Sequence, residues 1–245
     1  MGETGSAMAA EGLFHRWFAA SGVSGSLGIF PSIPSDLAAS CRELARLGAA
    51  GIGFPPLPAE KAEFADNLMG DAVSAGQIDT LTIGADGAFT GSYCLGEALR
   101  SMFRSARGRD VSKVLLAGDA AAGRSLASGG FAPEMVLLTD QITAGIDYPP
   151  EVVITDFASY RKHLARADLL LNSLAESDAA LDGLGPSCIV ADFPLNVDAA
   201  PVSALLRRAR ARGHCVWTGL DLLAAVSAAR FAKWFGVVPD KAMKV

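Results

Sequence analysis

The chain has 245 residues, with 21 Lys plus Arg against 26 Asp plus Glu, a net charge of −5. Hydrophobic residues make up 51%, which excludes a disordered chain, and the length fits one large domain or two small ones. The acidic balance argues against nucleic-acid binding, and no uncharged apolar run reaches the ~18 residues that a membrane-spanning helix needs. The N-terminus has no basic start followed by an apolar stretch, so no secretory signal is read and a cytoplasmic location is expected. Cys41, Cys94, Cys188 and Cys215 are scattered, with no CxxC pair and no Cys/His cluster. They read as reduced thiols, and no metal site is expected.

In chain order, Ser26–Phe30 reads as a strand. Ser35 to Leu47 has helical apolar spacing, with Ser35 as N-cap and Gly48 as the stop. A second short strand spans Gly51–Phe54, followed by a Pro-rich turn (Pro55, Pro56, Pro58) and a helix from Glu60 to Asn67. Ile78–Ile83 and Ala88–Thr90 read as strands joined by the hairpin turn Gly84-Ala85-Asp86-Gly87. A helix from Leu95 to Ala106 leads to the polar run Arg107–Asp110, which marks a boundary.

After that boundary, short apolar runs recur. They are Lys113–Ala117, Met135–Thr139, Val152–Thr155, Asp168–Leu171, Cys188–Asp192 and His214–Thr218. Helices are expected at Gly118–Ser128, Val202–Ala211 and Leu222–Phe235. This alternation predicts an α/β chain whose second part is a Rossmann-like, doubly wound parallel sheet. The Arg207, Arg208, Arg210 and Arg212 run reads as a solvated helix face. His15, His163 and His214 are isolated, and none is assigned to chemistry.

Gly118-Asp119-Ala120-Ala121-Ala122-Gly123 follows a strand and opens a helix, the context of a G-x-G-x-x-G dinucleotide loop. Ala120 replaces the second Gly, where a Cβ obstructs close approach to a pyrophosphate. Asp119 puts a carboxylate where a phosphate would sit, and it could equally cap the helix. The turn therefore reads either as a nucleotide loop or as a capped strand–helix junction. Asp140 follows the next strand, about 20 residues on, where an acid favours the 2′-hydroxyl of NAD over the 2′-phosphate of NADP.

Several segments carry a resemblance. Val190-Ala191-Asp192-Phe193-Pro194-Leu195-Asn196, with Pro201 beyond, is similar to a V-x-D-x-x-Y-N-P…P stretch. Thr218-Gly219-Leu220-Asp221-Leu222-Leu223, running to Phe231, Trp234 and Gly236, is similar to an N-G-x-x-M-L…F…W-x-G closing helix. Asp168–Ser173 resembles D-L-L-I-N-A-T, Gly76–Thr80 resembles G-A-V-N-T, and Gly91–Gly96 resembles G-x-N-T-D-G. Leu13-Phe14-His15 resembles the residues after an N-terminal S-x-S-L-S-P. Together these segments, over about residues 10 to 236, resemble the shikimate/quinate dehydrogenase family.

The resemblance implies a substrate-binding α/β domain over 1–106 and a Rossmann-like dinucleotide-binding domain over 107–220. It also implies that the C-terminal segment 221–245 returns to the first domain. It implies NAD or NADP as cofactor and a small-molecule ligand in the cleft; a homodimer is compatible with this fold class. Lys61, with Glu60 as the rival, is the candidate for the family's catalytic lysine, and Asp79 stands at the position of its asparagine. The family's catalytic Asp falls on Leu95, its closing-helix Gln on Val226, and its Tyr on Leu195. The N-terminal serine pair falls near Ala7–Glu11, with Ser6 close by. Asn172, Ser173 and Gly219 stand on the cofactor side. Independently of the resemblance, Lys61 reads as an acid/base or as an exposed helix lysine, and Asp79 could pair with it. Tyr93 offers a phenol to substrate or packs in the core. Asn172 and Ser173 could instead cap a turn.

The lost polar anchors predict that shikimate is not turned over, since sites built to hydrogen-bond hydroxyls discriminate through them. Two readings follow. One is an NAD-linked oxidoreductase for a less polar substrate. The other is a non-catalytic binding module that has lost its nucleotide.

Overall fold

The computed structural model describes residues 2–29, 36–54, 60–118, 120–139, 152–156, 158–174, 181–193 and 202–239. The expected Ser35 cap, the Pro55–Pro58 turn, Asp119, Asp140 and Leu195 lie outside them.

The chain opens with a helix that the sequence reading did not anticipate, α1 (Gly2–Ser21). Its Leu13, Phe14, Trp17 and Phe18 recur at helical spacing and are buried. The strand expected at 26–30 does not form: residues 22–29 have no regular structure. Val23 and Leu27 cover the aromatic cluster of α1 instead of joining a sheet. Helix α2 (Leu37–Arg46) follows, capped by Asp36, whose carboxylate accepts the Ala39 N–H at 2.9 Å.

A four-stranded sheet comes next, in the order β1 (Gly51–Gly53), β5 (Thr80–Ile83), β6 (Phe89–Ser92), β3 (Asn67–Met69). The β1–β5 and β5–β6 pairs are antiparallel, and β3 runs parallel to β6. The helix expected at 60–67 is replaced by β2 (Glu60–Lys61), a 3₁₀ turn (Ala62–Phe64) and β3. Asp66 explains this: its N–H donates to the Phe89 carbonyl, and its carboxylate accepts the Phe89 N–H at 2.7 Å. That exchange fixes the segment beside β6, where a helix cannot lie. β2 pairs with β4 (Gln77–Ile78), and α3 (Asp71–Ala75) lies between β3 and β4. The expected strand 78–83 is thus broken at Asp79. α4 (Cys94–Arg107) then leaves the sheet and ends at Gly108 in the left-handed conformation.

The second unit is a six-stranded, all-parallel sheet. Its strands are β7 (Lys113–Ala117), β8 (Glu134–Leu138), β9 (Val152–Thr155), β10 (Leu169–Asn172), β11 (Ile189–Asp192) and β12 (Cys215–Trp217). Across the sheet the order is β9-β8-β7-β10-β11-β12, which, counted from β7, is the 3-2-1-4-5-6 order of the Rossmann fold. Every residue of β7, β10 and β11 is buried, as strands covered on both faces require. Helices α5 (Ala120–Ser128), α6 (Arg161–Leu164) and α7 (Ala204–Ala211) belong to this unit. On α7, Leu205, Leu206 and Ala209 face inward, and Arg207, Arg208 and Arg210 are exposed.

Asp168 ties the start of this sheet together. It accepts from both Arg109 terminal nitrogens (2.6 and 3.2 Å), from the Ser112 hydroxyl and N–H, and from the Lys113 N–H. Burial opposes its ionisation, but these donors outweigh it and hold the carboxyl well below the usual range.

The closing helix α8 (Gly219–Phe235) starts with a reciprocal capping box between Thr218 and Asp221. It leaves the second sheet and packs on α1 and α4. Phe231, Trp234 and Phe235 meet Phe14, Trp17 and Phe18 of α1, with ring centroids from 4.8 to 6.5 Å apart within the cluster. The Trp234 indole donates to the Leu81 carbonyl at 2.8 Å, and Lys233 pairs with Glu97 at 3.1 Å.

Gly51 makes this crossing possible. A Cβ there would run into the Trp234 indole and come within 2.5 Å of the Leu81 carbonyl. Replacing Gly51 by Ala is expected to cost about 1–3 kcal/mol through overpacking, read from urea unfolding midpoints. Asp168→Asn tests the clamp. A carboxyl with a lowered folded pKa contributes stability that is fully present above its unfolded value and lost as pH falls through the folded one. The stability gap between wild type and Asp168→Asn should therefore be widest near neutral pH and narrow steadily on acidification.

Candidate functional site

The first half of the site is the junction of β4, β5 and α4. Asp79 is fully buried. Its Oδ1 accepts from the Thr80 hydroxyl (2.7 Å) and the Cys94 N–H (2.8 Å), and its Oδ2 accepts from the Leu95 N–H (2.8 Å). Cys94 and Leu95 are the first two residues of α4, and their N–H groups have no intrahelical partner. The cap position itself, Tyr93, supplies no side-chain bond. Asp79 therefore caps α4 from 15 residues away, and the partial positive charge of the helix start compensates its charge.

A cation reaches the same point from α8. Arg230 donates its Nε to the Thr80 hydroxyl at 3.2 Å and one Nη2 bond to the Asp79 carbonyl at 2.9 Å. The same Nη2 also donates to the Phe54 carbonyl. The Thr80 hydroxyl thus accepts from Arg230 and donates to Asp79, so the guanidinium and the carboxylate neutralise each other through one hydroxyl.

Tyr93 and Leu95 are both fully buried beside this network. The Tyr93 hydroxyl has no hydrogen-bond partner. Burial, then the charges of Asp79 and Asp71, push its ionisation well above the usual phenol range. Burial and Asp79 likewise push the Cys94 thiol up to about 12. Cys41, Cys94 and Cys188 are buried, Cys215 is exposed, and all four are free thiols.

The second half of the site is the C-terminal edge of the parallel sheet, where β7 and β10 diverge. This topological switch point is where open α/β sheets bind ligands. Gly118 leaves β7 here, and a Cβ on it would overlap the Ser173 hydroxyl, which donates to the Ala117 carbonyl at 3.3 Å. At Gly123 a Cβ would approach Leu137 to 2.8 Å, so this glycine lets α5 lie close on β8. The first and third glycine positions of the turn therefore serve a tight exit from β7 and a close contact between α5 and β8. Asn172 ends β10 and donates to the Asp192 carboxylate and to the Leu174 carbonyl, both at 2.8 Å. Burial raises the Asp192 pKa, while bonds from Ser203 and Asn172 oppose the rise.

The comparisons decide the lineage. A shikimate dehydrogenase (NADP(+)) from Citrifermentans bemidjiense is 30% identical over 240 residues, covering 86% of this chain and 80% of that protein. The chain belongs to the shikimate dehydrogenase family. Another such enzyme, from Dinoroseobacter shibae, is 29% identical over 248 residues, 93% of this chain and 87% of that one. Among solved structures, a shikimate dehydrogenase in complex with NADP+ superposes with a TM-score of 0.76 at 19% identity, over 94% of this chain and 86% of that one. A quinate dehydrogenase from Corynebacterium glutamicum in complex with NAD gives 0.72 at 18% identity, over 95% of this chain and 90% of that one. No family model matches the chain. The fold is that of the two-domain, NAD(P)-linked shikimate and quinate dehydrogenases.

Against that frame the sequence candidates separate. Asp79 and Tyr93 come together at the start of α4; Gly118, Asn172 and Ser173 come together at the switch point, with Gly123 against Leu137 of β8. Gly219 is the buried first residue of α8. The backbone of Lys61 stands opposite Gln77 on the two-stranded sheet, not on the expected helix. Only the backbones of Lys61, Glu60, Ser6 and Ala120 are described; Asp119 and Asp140 lie outside the described residues. Both Asp79 carboxylate oxygens cap α4, with Oδ1 also accepting from Thr80; the expected pairing with Lys61 rests on a side chain outside those described. Arg230 and Thr80 were missed. Their contact spans 150 residues, and no local pattern announces it. Among the described residues no cluster of His, Cys, Asp or Glu could hold a metal ion, and no helix is long and apolar enough to cross a membrane.

Asp79→Ala would leave two buried N–H groups and the Thr80 hydroxyl without an acceptor. It is expected to cost at least about 2 kcal/mol of stability in chemical denaturation, with Asp79→Asn intermediate because its amide oxygen still accepts.

Proposed function

We propose that the protein is an NAD-linked oxidoreductase of the shikimate dehydrogenase family, acting on a substrate with fewer polar groups than shikimate. Residues 1–106 with 221–245 would form the substrate-binding unit, and 107–220 the nucleotide-binding unit. The observation that carries this reading is Leu95. It occupies the place that the family resemblance gives to the acid, and it is fully buried with its N–H on Asp79. A leucine there can neither take up a proton nor hydrogen-bond a ring hydroxyl.

The nucleotide side supports retention of a dinucleotide. Gly118 and Gly123 keep their close-approach roles, and the strand order provides the crevice between β7 and β10. Gly118, Ala120, Gly123, Asn172 and Ser173 would line the bound dinucleotide, with Asp119 at the turn and Gly219 at the head of α8. Asp140 comes two residues after the end of β8 and would favour the 2′-hydroxyl of NAD. When bound, the nicotinamide supplies hydride transfer. The protein's own part is to orient the ring partner against it and to exclude water. Asp79, engaged by α4, holds the floor of the substrate unit in place, and Lys61, with Glu60 and Ser6, remains the proposed polar lining.

Calorimetric titration with NAD and NADP, oxidised and reduced, tests this. Micromolar binding of NAD, weaker binding of NADP and no shikimate oxidation at an enzymatic rate are the expected results. Ordinary NADP-linked turnover of shikimate would overturn the altered-site reading. No nucleotide binding at millimolar concentration would replace it with a cofactor-free binding module.

A further inference from the structure

At the C-terminal edge of the parallel sheet one buried carboxylate ties two strand ends to the start of a helix. Asp192 ends β11 directly opposite Asn172 on β10 and is 3% exposed. Its Oδ1 accepts from the Asn172 amide at 2.8 Å, and a further bond comes from the Ser203 hydroxyl. Ser203 in turn accepts the Leu206 N–H at 3.2 Å and caps α7.

The Asn172 amide is committed in both directions. Its Nδ2 also donates to the Leu174 carbonyl at 2.8 Å, and its Oδ1 accepts the Leu174 N–H at 3.4 Å. Both backbone polar groups of Leu174 are thus held by one side chain. Ser173, between them, donates its N–H to the Ala117 carbonyl at 2.8 Å, and Ala117 directly precedes Gly118. Asn172 is buried, whereas Ser173 and Leu174 are half-buried.

A neutral residue at 192 would satisfy Asn172 and Ser203 at a smaller desolvation cost. What a carboxylate adds is that it accepts and never donates. It therefore admits the Asn172 amide in one orientation, with the nitrogen toward Asp192. Turned over, the amide would set oxygen against oxygen at Asp192 and at the Leu174 carbonyl. A protonated Asp192 can donate, which relaxes that choice and weakens the charge-assisted bonds.

We propose that Asp192 is a positioning residue for the nucleotide crevice: its ionised form, acting through the Asn172 amide, sets the Ser173–Leu174 turn that walls the crevice beside Gly118. The proposal rests on the reading of this crevice as the nucleotide site. Asp192 acts on a bound dinucleotide only through that turn.

The arrangement responds to pH. Burial raises the Asp192 pKa above the ordinary carboxylate value, against the bonds from Ser203 and Asn172. The neighbours that the described elements bring to it are neutral: Asn172 from β10, Trp217 from the end of β12 and Ser203 from the start of α7. Asp221, at the head of α8, is turned to Thr218, and Asp198 lies outside the described residues.

The chain has three asparagines, Asn67, Asn172 and Asn196, so nitrogen-15 in the asparagine side chain gives three amide pairs. Asn172→Ala identifies the pair in question. In the free protein this pair is expected to move as pH falls, with a midpoint above the ordinary carboxylate value. Protection of the Leu174 N–H from hydrogen exchange should drop with the same midpoint. Asp192→Asn should abolish both responses, and Asp192→Ala should lower Leu174 protection roughly three- to tenfold at neutral pH. Calorimetry with NAD should then show a similar loss of affinity for Asp192→Ala and for Asn172→Ala, and no further loss in the double variant, the signature of one residue acting through the other. Asp119 and Asp140 are present in every protein compared, so their own titration cancels.

An Asn172 pair that ignores pH, Leu174 protection that keeps its pH response in Asp192→Asn, or additive losses of NAD affinity would overturn the proposal. If Asp192→Ala does not fold, the comparison of wild type with Asp192→Asn carries the test. If the wild-type protein binds no nucleotide, the nucleotide reading of the crevice falls, while exchange in the free protein still decides whether Asp192 sets the turn.

Discussion

A carboxylate buried in a protein interior must be compensated on the spot, and Asp79 is compensated from three elements at once. The start of α4 supplies two N–H groups, the neighbouring Thr80 a hydroxyl, and α8 a guanidinium acting through that hydroxyl. The requirement fixes the angle at which α4 leaves the sheet and the height at which α8 crosses it. Tyr93 and Leu95, on either side of Cys94, take their buried positions from the same constraint. The chemistry available in this half of the molecule is set by what surrounds one negative charge.

The other half depends on packing more than on charge. Parallel strands β7, β10 and β11 are buried on both faces, so their continuous apolar runs announced themselves in the sequence. The Gly118 turn followed from the same runs, because a glycine directly after a buried strand and before a helix has few other uses. This half is polar only at its edges. Asp168 gathers the linker at one end of the strands, and Asn172 with Asp192 closes the other.

What was legible in the chain was what repeats locally. The six parallel strands, α4, α7, α8 and the 84–87 turn follow from periodicity and turn chemistry, and the order of weak motifs pointed to the right family. The errors lie where a distant contact overrules a local pattern. Residues 60–67 have a helical look, but the exchange of bonds between Asp66 and Phe89 fixes them as two short strands about a 3₁₀ turn. Leu27 lies in a strand-like run, yet with Val23 it is spent covering aromatic rings of α1. The helical spacing of Leu13, Phe14, Trp17 and Phe18 does carry the signal for α1, although the motif resemblance at Leu13–His15 covers only part of it. Asp79 was visible as a polar residue in a strand, but its use as a remote cap was not, since the helix it serves begins 15 residues later.

The crossing of α8 over β1 also sets an order of events during folding. The Leu81 carbonyl waits for an indole 153 residues downstream, and Thr80 waits for a guanidinium 150 residues downstream. The aromatic face of α1 is covered only in part, by Val23 and Leu27, until Phe231 and Phe235 arrive. On the ribosome, the strands of the four-stranded sheet emerge first but cannot finish, whereas the parallel sheet between them and α8 closes on neighbours nearer in sequence. The unit that begins the chain is therefore the last to be completed. A chain cut before α8 would present bare aromatic rings and an unfilled strand surface to whatever else is in solution.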